Sequence, residues 1–145
     1  MDYKKFGNSV YARFDKGDEV VAGILNICKK EKILSATYSG VGCCSEVVVS
    51  SYLPKKSVFK EQIKKGILDI ASLNGNISSD ENNEIYSHTH AVFSFLNGTD
   101  NIELTGGHLI KAIILYTAEI VINPVMNGTI RRMKDPITGI TVWKL

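Results

Sequence analysis

The sequence has little excess charge of either sign. Seventeen basic side chains stand against fifteen acidic ones, for a formal net charge of +2. So weak a bias argues against a dedicated polybasic nucleic-acid binder, although it leaves room for a local patch. Long hydrophobic runs are also missing: none reaches the roughly 18–20 residues that span a bilayer, so no membrane role is expected. The opening residues Met1-Asp2-Tyr3-Lys4-Lys5 lack the apolar stretch of a secretory leader. There is no Pro-rich linker, low-complexity tract or internal repeat. No C-x-x-C spacing occurs among Cys28, Cys43 and Cys44, which disfavours a zinc ribbon. An odd thiol count without a leader predicts reduced cysteines in the cytoplasm, buried as small hydrophobes.

What is present is an ordinary globular composition, 44% hydrophobic and 22% charged over 145 residues, read as one domain over residues 1–145. Val10, Ala12 and Phe14 alternate with polar or amphipathic neighbours, which predicts a strand over Ser9–Phe14. Gly17-Asp18 breaks it, with Asp18 as the expected N-cap of a helix over residues 18–31. Within that helix Val20, Val21, Ile24, Leu25 and Cys28 recur at helical spacing, and lysines crowd the far end. The period then changes to two. Strands are expected over Ile33–Ser39 and Ser45–Leu53, joined by Gly40-Val41-Gly42 as a tight connection. Val58–Lys65 reads as a short strand or edge segment. Ile67–Leu73 reads as a strand ending at the turn pair Asn74-Gly75. Residues 78–84 read as a loop, Ile85–Leu96 as a long strand and Asn97-Gly98 as a turn. Leu109–Val121 fits helix or strand, with Ile120-Val121-Ile122 and Pro124 favouring strand at its end. Short strands flank the Asp135-Pro136 turn. One helix with seven or eight strands predicts an α/β domain of the α+β type, with a strongly curved, mainly antiparallel sheet. A single helix cannot cover so large a sheet, so the remaining apolar face must curl on itself or meet another subunit.

All three histidines fall within one 21-residue window, at His88, His90 and His108. His88 and His90 share a face of the Ile85–Leu96 strand, with roots about 7 Å apart at roughly 3.3 Å of rise per residue. Thr89, Ala91, Phe93 and Phe95 then face the core. His108 follows Gly106-Gly107, where missing side chains let the backbone pass close to a neighbour. Three imidazoles suit zinc or another divalent metal such as Ni²⁺, Co²⁺ or Fe²⁺, and leave a position for water. The bland alternative is three ordinary polar histidines. Glu84, Glu103 and Glu119 are general-base candidates for a hydrolase-like metal enzyme, but no spacing selects one.

Other patterns are weaker. Gly40-Val41-Gly42 is not a nucleotide fingerprint, because a strand rather than a helix follows it. Lys55, Lys56, Lys60, Lys64 and Lys65, near Tyr52 and Phe59, form a candidate nucleic-acid contact or, more simply, a lysine-guarded sheet edge. Arg131-Arg132 has the same ambiguous status.

Together these motifs resemble the PPC domain family, the domain conserved between plants and prokaryotes. The resemblance runs from Arg13 and Gly17-Asp18 through Ser39–Gly42 and Leu68–Gly75. It is sharpest at His88-Thr89-His90-Ala91, Gly106-Gly107-His108-Leu109 and Ala118–Ile122. It implies a curved, mainly antiparallel sheet with few helices, a homotrimer, and histidines that group near a subunit boundary and hold zinc. His88, His90 and His108 match those histidines, with Gly106, Gly107, Glu119 and Arg13 as candidate ligand-pocket residues. Plant relatives carry AT-hooks for the DNA minor groove; this chain has no R-G-R-P hook. Asp69 stands where the family commonly has Glu. The expected function is therefore a metal-binding regulatory or protein-interaction module with an unidentified protein partner and weak or indirect DNA association. The metal-dependent hydrolase is the alternative.

Overall fold

The computed structural model describes residues 1–53 and 58–145. Its elements in chain order are β1 (Asp2–Phe6), β2 (Ser9–Asp15), α1 (Val20–Lys30), β3 (Ala36–Leu53) and β4 (Val58–Ser79). There follow β5 (Ile85–Leu96), β6 (Ile102–Pro124), β7 (Arg131–Lys134) and β8 (Thr141–Lys144). Among the described residues, one helix and eight strands match the expected class, and every strand pair is antiparallel except the single β4–β7 contact at Ser79 and Arg131.

The strands run β1-β2-β6-β3-β4-β7-β8, and β5 joins β4 to β6 off this path. The pairing of β3 with β4, β4 with β5, β5 with β6 and β6 with β3 therefore closes a ring. This curling hides most of the apolar inner face. Phe14, Leu68, Leu73, Phe93, Ile114 and Ile120 are fully buried within it. Helix α1 adds Val20, Ile24, Ile27 and Cys28 to the same core. All three cysteines are buried thiols, and burial pushes those of Cys28 and Cys44 up to about 12.

The helix start differs by one residue from the sequence reading. Glu19 is the N-cap: its carboxylate accepts from the amides of Val21 at 3.0 Å and Ala22 at 2.6 Å. Asp18 instead accepts from the Asp15 amide at 2.7 Å and closes the turn out of β2.

Two expected turns are also absent. Gly40-Val41-Gly42 lies inside the unbroken β3, at a bulge, and Asn74-Gly75 lies inside β4. Both glycine sites answer a demand for space. A Cβ on Gly40 would sit 2.7 Å from the Glu119 carbonyl, and one on Gly75 would sit 2.3 Å from the Tyr38 ring. Smaller differences follow. The stretch from Val58 through Leu73 and on to Ser79 is one strand, so the loop shrinks to residues 80–84. The strand expected from Ile33 begins at Ala36, Leu109–Val121 is strand throughout, and the N-terminal β1 had no sequence signal.

Candidate metal centre

Cross-strand register assembles the histidines. His90 on β5 pairs directly with His108 on β6, and His88 lies two residues along β5. Opposed residues on antiparallel strands have their Cβ atoms about 4.5–5.5 Å apart, so the pairing brings the imidazoles together. Their ring centroids lie 5.3, 5.3 and 5.5 Å apart, and one nitrogen from each ring falls within 4.8 Å of the others. Thr89, Ala91 and Phe93 fill the opposite, buried side of β5, as alternation requires, and Phe95 packs against the core from the same side.

Glycine allows this approach. A Cβ on Gly106 would lie 2.5 Å from the Ala91 carbonyl of β5, and one on Gly107 would lie 2.8 Å from the Ser50 carbonyl of β3. His108 thus sits on a strand pressed between two neighbours, opposite His90 on one side and Ser50 on the other. Beneath the histidines, Tyr38 Oη hydrogen-bonds Ser87 Oγ at 2.5 Å and Thr89 Oγ1, tying β5 to β3.

The local electrostatics favour the ligand form of two of the imidazoles. Burial is the main cause that holds His88 and His108 below the ordinary histidine value of 6.5, and the neighbouring rings and Arg132 push the same way. Neutral imidazole is the form that binds a metal ion. With three imidazole nitrogens this close, the residues present fit a divalent ion.

The cavity above the cluster has a volume of about 790 Å³ and is also lined by Tyr52, Tyr86, Gly107 and Arg132. Asp80 lines it too, with both oxygens engaged. Oδ1 accepts from the Asn82 and Glu84 amides at 2.8 and 2.9 Å, and Oδ2 accepts from Tyr86 Oη at 3.2 Å.

The structure divides the remaining candidate pocket residues. Arg13 and Glu119 are opposite each other on β2 and β6 and line a different cleft of about 780 Å³ on the exposed sheet face. Gly106 lines neither cavity, and its part is steric. Of the general-base candidates, Glu103 accepts from Asn97 Nδ2 at 2.7 Å, and neither it nor Glu84 lines the histidine cavity.

Lys55 and Lys56 lie outside the described residues. Lys65 pairs with Glu46 at 2.9 Å, and the Lys64 ammonium sits 3.9 Å from the Phe95 ring centroid. Lys60 is exposed on β4, without an ion pair among the described residues. Two of the three described lysines are therefore already engaged within the fold. The sequence reading missed Asp80, and it noticed Arg132 only as half of a basic pair. Both reach the cavity through loop and hairpin placement, which leaves no periodic signal.

Residues 1–126 match the family model described as the Plants and Prokaryotes Conserved (PCC) domain. The chain belongs to this family. Among solved structures, a candidate DNA-binding protein from Bacteroides thetaiotaomicron superposes with a TM-score of 0.88 at 27% identity, covering 99% of this chain and 96% of that one. A metal-containing protein from Archaeoglobus fulgidus gives a TM-score of 0.83 at 25% identity, covering 100% of this chain and 99% of that one. A plant- and prokaryote-conserved protein from Pyrococcus horikoshii gives 0.80 at 27% identity, covering 99% and 95%. No curated protein matches the chain. Within this PCC domain the histidine cluster lies wholly inside the matched residues, whereas β7 and β8 lie beyond them.

Proposed function

We propose that this PCC domain is a metal-binding module whose His88, His90 and His108 hold one divalent ion, zinc first among the choices. The observation that carries the reading is the convergence of the chain's three histidines, from two adjacent strands, into one cluster. The metal-containing relative from Archaeoglobus fulgidus supports it. When bound, the ion offers a Lewis-acidic position, and with three protein ligands one position stays open. The domain works as a cytoplasmic homotrimer in a regulatory or protein-interaction role, with DNA contacted weakly or through a partner. The candidate DNA-binding relative supports that association.

Metal analysis of untagged protein tests the reading, repeated on His88→Ala, His90→Ala and His108→Ala. Each substitution is expected to remove most of the bound metal while the far-ultraviolet circular dichroism stays unchanged. Equal metal content in all four proteins would end the shared-site reading. Where the wild type is purified empty, calorimetric titration with Zn²⁺ distinguishes an unloaded site from no site.

A further inference from the structure

The cavity over the histidines draws on a second region of the chain. Arg132, Met133 and Lys134 from β7, with Ile140 just before β8 and Thr141 at its start, line it alongside the cluster. This hairpin is fastened to the sheet. Trp143 Nε1 donates to Asn76 Oδ1 at 3.2 Å, Arg131 Nη1 donates to Ser79 Oγ at 3.0 Å, and β7 and β8 pair over four residues.

Arg132 stands out within it. A guanidinium has five N–H donors. Among the described residues the Arg132 guanidinium makes one hydrogen bond, from Nη2 to the Thr141 carbonyl at 3.3 Å. Its Nε is shut from solvent and has no acceptor among the described residues. No carboxylate forms an ion pair with it among those residues. Asp80, the carboxylate in the same cavity, is occupied by backbone amides and Tyr86. A half-buried guanidinium with no ion pair and an unpartnered Nε among the described residues is costly unless an anion arrives to pair with it. Lys134 adds a second positive group.

The rest of the lining says what kind of anion. Tyr52 and Phe59 place their rings 5.2 Å apart, and Met133 and Ile140 add apolar surface. A volume of about 790 Å³ lies within the ~300–1,000 Å³ typical of small-molecule sites. Inorganic phosphate would leave the apolar wall unused, whereas a carboxylate with a hydrocarbon tail uses both features.

We propose that this cavity binds a small organic monocarboxylate, with its carboxylate paired to Arg132 beside the metal site and its tail against Tyr52, Phe59, Met133 and Ile140. This rests on the metal reading above and goes further in giving that site a ligand class and a selecting residue.

Calorimetry on the full chain tests it in two stages. Zn²⁺ uptake is measured first, on wild type, Arg132→Gln and Arg132→Lys. Hexanoate, acetate and the neutral hexanamide are then titrated into each zinc-loaded protein. Uptake of Zn²⁺ is expected to be equal in all three. Hexanoate should saturate the wild type, bind about tenfold or more tighter than acetate through its added methylenes, and outcompete hexanamide. Arg132→Gln should weaken hexanoate about tenfold or more by removing a charge-assisted contact, and Arg132→Lys should recover part of it. No Zn²⁺ uptake by the wild type would overturn the metal reading, and this proposal with it. Normal uptake with no hexanoate saturation at millimolar concentration, or equal affinity for hexanamide, would overturn the carboxylate assignment alone. Equal hexanoate affinity in Arg132→Gln, or loss of Zn²⁺ from that variant, would overturn the role of Arg132.

Discussion

At the residue scale the strand that carries His88 and His90 is tied down by side chains outside the cluster. Tyr38 is buried, and burial pushes its hydroxyl pKa up, so it stays protonated and available as a donor. Its hydroxyl meets Ser87 and Thr89, which flank His88 on β5 and also bond each other at 2.7 Å. Tyr38→Phe therefore leaves both hydroxyls with a partner. Its cost should be about 1 kcal/mol, the net worth of a typical hydrogen bond, read as a lower urea midpoint with zinc stoichiometry intact. A loss of zinc would show that the network also positions the imidazoles. Glu46 poses a different residue-scale question. Lys65 first, then Lys111, hold its carboxyl below the ordinary value of 4.5. A depressed folded pKa contributes stability above the unfolded value, and that contribution fades as pH falls through the folded one. The stability difference between wild type and Glu46→Gln should thus be present at neutral pH and vanish in acid. Urea midpoints measured across pH 3–7 check the sign. Lys64 over Phe95 and Lys65 on Glu46 show why a run of lysines in sequence need not be a free patch.

At the element scale, what the sequence conveyed was period, and what it concealed was contact. Alternation placed β2 and β5, and the sides of β5 on which His88, His90, Thr89, Ala91 and Phe93 fall. Helical spacing placed α1, and the cap slipped by a residue because Glu19 also accepts from the Ala112 amide at 3.0 Å, a bond no local pattern reveals. The false turns share one cause. Glycine at Gly40 and Gly75 is required by a neighbouring strand and a neighbouring ring, and a sequence shows only that a side chain is missing. The histidine pair was visible as H-x-H, while its junction with His108 became definite only through the β5–β6 register. Arg132 was hidden because a parallel contact at Ser79 brings its hairpin in. These glycines make a sharp test. Gly75→Ala drives a methyl into the Tyr38 ring and should cost about 1–3 kcal/mol as overpacking. Gly98→Ala, with nothing within 4 Å, should fall within about 0.5 kcal/mol of wild type. Gly106→Ala pushes β6 away from Ala91 and should weaken zinc uptake as well as stability. Urea melts with parallel Zn²⁺ titration separate the three. A Gly106→Ala protein that is destabilised but binds zinc normally would show that the strand spacing does not govern the cluster.

At the scale of the whole molecule, the ring of strands solves half of the burial problem that the sequence posed. The inner face is filled, yet Val41, Ile67, Leu104 and Tyr116 remain 57–66% exposed. A large sheet face left in this condition is a natural surface for self-association, and it motivates the homotrimer in the proposed function. Light scattering should return roughly three times the 16.0 kDa chain mass. Val41→Glu, on the exposed face beside the Arg13–Glu119 cleft, should shift that mass towards the monomer with the circular dichroism unchanged. The distribution of charge bears on DNA. Each phosphate contact steepens the salt dependence of binding by about 0.9 on a log–log scale. The net charge is only +2 per chain, and Lys64 and Lys65 are engaged within the fold. Few phosphates can therefore be met by the described lysines of this stretch. Electrophoretic titration near physiological salt should show weak binding, without sequence preference and with a shallow salt slope, and Lys60→Gln should weaken it slightly at every sequence. Nanomolar, sequence-selective binding near 0.15 M salt would overturn this. It would require side chains that reach base edges.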